Sequence, residues 1–86
     1  MAIVEYLRLE VIVLFYYDSP VGLFTIQYDF DDDSYILRLD DEILGFYHTP
    51  IAAADDVYCQ HVGAAQWDDS PLPLDSPTCI DEWESS

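Results

Sequence analysis

The sequence predicts an α+β domain. It would hold an antiparallel β-meander of three to four strands, one helix packed on one face of the sheet, and an extended C-terminal tail. Three observations lead there. Apolar and polar residues alternate with period two through residues 23–30 and 35–40, the pattern of a half-buried strand. Short clusters rich in Asp, Pro and Gly punctuate those runs and read as turns. A Thr-Pro pair at positions 49 and 50 then opens an alanine-rich segment with the signature of a helix start.

Residues 3–17 alternate loosely. Ile3, Leu7, Leu9, Val11, Val13 and Phe15 share one strand face, and Tyr6, Arg8 and Glu10 fall on the other. Helical spacing also fits Val4, Leu7, Val11 and Leu14, but β-branched and aromatic enrichment favours a strand from about residue 8 onward. "DSPVG" at 18–22 is a turn, with Pro20 fixing φ and Gly22 free to take positive φ. Phe24, Ile26, Tyr28 and Phe30 form the apolar side of the next strand. "DDDS" turns the chain, Tyr35, Leu37 and Leu39 line a further strand, "DDE" turns it again, and "ILGFYH" makes a short last strand.

In the helix, Thr49 is the expected N-cap, Pro50 sits at N1, and Gly63 is placed to terminate it. At 100° per residue Ile51, Ala54, Val57, Tyr58, His61 and Val62 share one broad side. That side is expected on the sheet, with His61 a core histidine and Asp56, Cys59 and Gln60 facing outward. The sequence divides into one domain over 1–66 and a Pro-rich acidic tail over 67–86. Trp67 and Trp83 are too apolar to leave in water, so they are expected to anchor the tail on the domain.

Charge is the outlying property. Eighteen Asp and Glu stand against two basic residues, giving a net charge of −16 over 86 residues. A small domain ordinarily carries a net charge of magnitude about 2–8, and self-repulsion of this size destabilises a compact state. Phosphate binding needs Lys and Arg, so direct nucleic-acid binding is excluded, and docking on an anionic membrane is disfavoured. The composition is 51% hydrophobic and 15% aromatic, which does not fit a disordered acidic tail. Two cysteines do not make a disulfide framework. No signal peptide is evident, and the longest apolar run, "VIVLFYY", falls well short of the ~20 residues that span a bilayer. The expected setting is the cytoplasm of a bacterial cell, with a phage or mobile-element origin in view.

The segment "YILRLDDEILGFYHTPIAAADDVYCQHVGAAQWD", residues 35–68, resembles a small domain of uncharacterised bacterial and phage-type proteins. The shared pattern is Gly-aromatic-Tyr, "TPxAAADDVY", a Gly and "WD", followed by a later Pro and a C-terminal Trp, here Pro73 and Trp83. The resemblance covers about half the chain. It implies a sheet-plus-helix fold and no catalytic residues.

Reactive constellations fare poorly. Asp29, Asp31, Asp33 and Asp40 match positions of a calcium loop, but Ser34 stands where Gly is needed and a bidentate Glu is missing. His48, Cys59, His61 and Cys79 lack the paired spacing of a zinc knuckle. There is no Gly-x-Ser-x-Gly, no phosphate-cradling glycine loop and no Lys. A non-enzymatic protein without cofactor or metal is the expectation.

Two readings remain. In the first, Asp29, Asp31, Asp32, Asp33, Asp40, Asp41, Glu42, Asp55 and Asp56 present a phosphate-like field to a basic nucleic-acid-binding protein or ribonucleoprotein complex. The class resemblance is to phage-encoded anti-CRISPR and anti-restriction inhibitors that act as DNA mimics. In the second, the protein is an adaptor or a homodimerising module whose sheet face or Trp-bearing tail binds a partner, with acidity serving solubility.

Overall fold

The computed structural model describes residues 11–85. The expected strand residues 8–10 lie outside them. Four antiparallel strands form the meander: β1 (Val11–Ser19), β2 (Gly22–Asp29), β3 (Ser34–Leu39) and β4 (Glu42–Tyr47). Helix α1 (Pro50–Tyr58) and the short helix α2 (Ala65–Asp68) follow. A 3₁₀ turn (Ile80–Glu82) then leads into a two-residue strand, β5 (Glu84–Ser85). The sheet order is β4-β3-β2-β1-β5, so the fold is an α+β meander. The fifth strand was beyond the pattern, since two residues carry no periodicity.

Register puts Phe15, Tyr17, Phe24, Ile26, Leu37 and Leu39 on one face of the sheet. The core collects there. Phe24, Ile26 and Leu37 are fully buried against Ala53, Ala54 and Val57 of α1 and against Trp67 and Trp83. The Trp67 ring meets Phe24 edge-on at 5.1 Å, and its indole N–H donates to the Val57 carbonyl at 2.8 Å. An indole so placed buries a large apolar area without orphaning its polar atom. Trp83 joins the same cluster 5.9 Å from Tyr17, and the next two residues, Glu84 and Ser85, pair with Tyr16 and Phe15.

Four expectations are corrected. A β-bulge at Leu14 breaks the β1 register between Val13 and Phe15. An inserted residue flips the alternation, so Val13 pairs with Gln27 on the opposite face from Phe15. Helix α1 begins as expected, with the Thr49 hydroxyl accepting from the Ala52 N–H at 3.1 Å, but it does not end at Gly63. Its last residue is Tyr58, and Gln60 takes the left-handed conformation at φ 59°. The Asp68 carboxylate from α2 then accepts from the Val62 and Gly63 N–H groups. The early end leaves His61 outside the helix and exposed, not in the core. The buried stripe is Ala53, Ala54 and Val57, while Ile51 and Tyr58 are exposed.

The opposite face of the sheet carries exposed Tyr16, Leu23, Ile43 and Phe46 beside Arg38. Among the described residues no helix is long and apolar enough to cross a membrane.

Candidate functional site

The carboxylates of the β2–β3 and β3–β4 connections sit at opposite ends of β3. Its six residues hold them roughly 20 Å apart at ~3.3 Å per residue. The two ends are built differently.

At the β2–β3 end, residues 30–33 make the turn. Asp29 accepts from the Asp31 N–H at 2.9 Å, a local side-chain bond that competes with continuing the strand. Asp33 closes the turn in the left-handed region at φ 52°, where Asp and Asn are tolerated better than most residues. The Tyr28 hydroxyl donates to one oxygen of the Asp33 carboxylate. That bond, to an acceptor already charged, holds the Tyr28 pKa above the ordinary phenol value. Tyr28 pairs across the hairpin with Tyr35, their ring centroids 5.3 Å apart, and Phe30 meets Tyr28 edge-on at 4.8 Å. Leu14, Tyr28, Asp33, Tyr35 and His48 line an open cleft beside the turn. Asp31 and Asp32 are exposed.

At the β3–β4 end the carboxylate works for the fold. Asp40 stands at φ 53°. Its N–H donates to the Leu23 carbonyl at 2.8 Å, and its side chain accepts from the Leu23 N–H at 2.9 Å. Gly22 passes beneath: a Cβ there would lie 2.5 Å from the Asp40 carboxylate, and its φ is +144°. Arg38 reaches back to the Asp41 backbone carbonyl at 2.9 Å. Asp41 and Glu42 are exposed.

The helix contributes one acid of each kind. Asp55 is exposed. Asp56, expected to face outward, is half-buried and accepts from the Tyr47 hydroxyl at 2.8 Å. A three-residue step around α1 turns Asp56 toward the same side as Ala53. Burial, then the bond to Asp56, pushes the Tyr47 pKa well up.

The nine sequence-predicted acids therefore divide. Asp29, Asp33, Asp40 and Asp56 hold internal hydrogen bonds. Asp31, Asp32, Asp41, Glu42 and Asp55 are exposed, as Asp33 and Asp40 also are. They do not form one continuous band, because the apolar outer sheet face lies between the two hairpin ends. Sequence reasoning missed the pairing of Tyr28 with Tyr35 around the turn. Their symmetric flanking of "DFDDDS" was the available signal, since hairpin partners converge on the same face.

Among the described residues no group of three or more His, Cys, Asp or Glu is placed to hold a metal ion. Cys59 and Cys79 are free and exposed. Comparison with protein-family models, curated proteins and solved structures finds no match to this chain.

Proposed function

We propose that the protein is a non-enzymatic acidic inhibitor that occupies the basic nucleic-acid-binding groove of another protein. A bacterial defence complex, of the CRISPR or restriction kind, is the partner class it suits. One observation carries the reading: among the described residues, no Lys or Arg side chain stands against the carboxylates of either hairpin end. Arg38 is the one Arg or Lys among the described residues, and it bonds a backbone carbonyl. Evolved surfaces usually intersperse both signs. Here two anionic ends stand a fixed distance apart, and B-DNA presents charge along its axis in the same sign at ~1.7 Å spacing. A basic groove would gain counterion release on meeting either.

The test uses the tagged protein to capture partners from a bacterial lysate, followed by challenge with DNA and RNA oligonucleotides. Release of an identified nucleic-acid-binding protein by oligonucleotide is the expected result. Retention of partners that neither oligonucleotide displaces would overturn the reading.

A second reading has its own observation. Phe46 is 58% exposed on the outer sheet face, with Ile43 and Leu23 also exposed on that face. Such a patch suits a protein–protein contact, including a homodimer. Under that reading Phe46→Ser abolishes association and salt has little effect. Sedimentation of both proteins at low and high salt separates the two.

A further inference from the structure

From the cleft beside the β2–β3 turn we infer a receptor for a single arginine side chain of a basic polypeptide, with Tyr28 and Tyr35 as stacking surfaces and Asp33 as the counter-charge. The inference rests on the proposed function and names the partner chemistry that one end of the molecule selects.

Three features converge. First, the Tyr28 and Tyr35 rings are 5.3 Å apart and tilted by 58°, and Phe30 also meets Tyr28, at 89°. A corner of tilted aromatic rings offers π-faces to a planar cation entering between them and the turn. Second, Asp33 uses one carboxylate oxygen on the Tyr28 hydroxyl. Asp33 is exposed, so its other oxygen faces an incoming N–H. The bond to Tyr28 and the left-handed backbone fix where that oxygen points. Third, among the described residues the cleft is lined by Leu14, Tyr28, Asp33, Tyr35 and His48, a set with no Lys or Arg. Leu14 is there because the bulge displaces it from the strand alternation.

Guanidinium fits this set better than ammonium. It is planar, stacks on aromatic faces, and is more weakly hydrated than an ammonium, so it leaves water at lower cost. A lysine would meet the same negative field and lose the stacking. Asp31 and Asp32 lie on the same turn and attract either cation without distinguishing them.

Hexa-arginine amide and hexa-lysine amide carry equal charge and make the test. Their affinities are measured by calorimetry at low salt, with ring-proton NMR shifts of Tyr28 and Tyr35 recorded alongside. The expected result is an arginine preference of about three- to fivefold, with shifts confined to the cleft rings. Asp33→Asn keeps a residue that tolerates the left-handed backbone and should erase the preference. Asp32→Asn should weaken both peptides alike and keep the preference. Tyr28→Leu should also erase it, with a thermal melt recording that the variant folds. Equal affinity for the two peptides in the parent protein would overturn the cleft and leave the acidic inhibitor standing. Loss of preference in Asp32→Asn to the same degree as in Asp33→Asn would also overturn it. Binding of neither peptide would overturn both.

Discussion

The two hairpin turns of the sheet look alike in sequence, "DFDDDS" and "DDE", yet their carboxylates do different jobs. At the β3–β4 turn Asp40 ties its own strand to β2 through Leu23, above a glycine that has no room for a side chain. At the β2–β3 turn Asp29 and Asp33 make short-range bonds that shape the turn itself, and the Asp31 and Asp32 side chains are exposed. A run of acids is thus not one feature. Where the acid reaches a strand neighbour it is part of the fold, and where it stands free its charge is available to a partner. The expected effects of substitution separate along that line, with the core as the upper reference.

Trp67→Ala should cost the most, about 3–5 kcal/mol, because it empties the centre of the aromatic cluster and removes the indole bond to the Val57 carbonyl. Chemical denaturation should show the loss as a large drop in midpoint, since total stabilities are about 5–15 kcal/mol. Asp40→Ala comes next, at about 1–2 kcal/mol. It loses the bond to Leu23 and leaves an alanine at positive φ. Asp40→Asn retains an acceptor and a tolerated conformation, and should stay within about 0.5 kcal/mol of the parent. A melt in which Asp40→Ala is as stable as the parent would remove the distinction between the turns.

The sign should reverse at the other turn. Asp31→Asn with Asp32→Asn relieves repulsion between unpaired like charges and should stabilise by a few tenths of a kcal/mol at low salt. The gain should fade as salt is added. Loss of stability in that double variant would mean that the turn depends on these acids.

The smallest expected effect is an alkaline one. Tyr47 has its pKa raised in the folded state by burial and by Asp56. Below pH about 10, the ordinary phenol value, folded and unfolded chains both keep the proton. Above it the unfolded chain releases its proton first, so stability falls as pH rises towards the folded value. Tyr17 and Tyr28 are raised too and act in the same direction. Tyr47→Phe should flatten part of that decline, measured as the denaturation midpoint against pH.

Much of this arrangement was legible in the sequence because it is local. Alternation at Phe24 and Ile26, and at Leu37 and Leu39, marked the core face, and Thr49-Pro50 marked the helix start. What was not legible depends on contacts far apart in the chain. The bulge at Leu14 follows from fitting β1 to β2, and no residue type announces it. The helix ends before Gly63 because Gln60 turns left-handed and Asp68, from the next helix, holds Val62 and Gly63. The division among the acids was hidden for the same reason. The role of Asp40 requires Leu23 across the sheet, and that of Asp56 requires Tyr47 from the neighbouring strand.

The claim that free carboxylates are the working surface is tested most directly by affinity for a captured basic partner against salt concentration. A steep, continuous loss of affinity with rising salt is expected, shallower in the Asp31→Asn, Asp32→Asn double variant. An affinity that holds constant across the same range, and is unchanged in that variant, would contradict it.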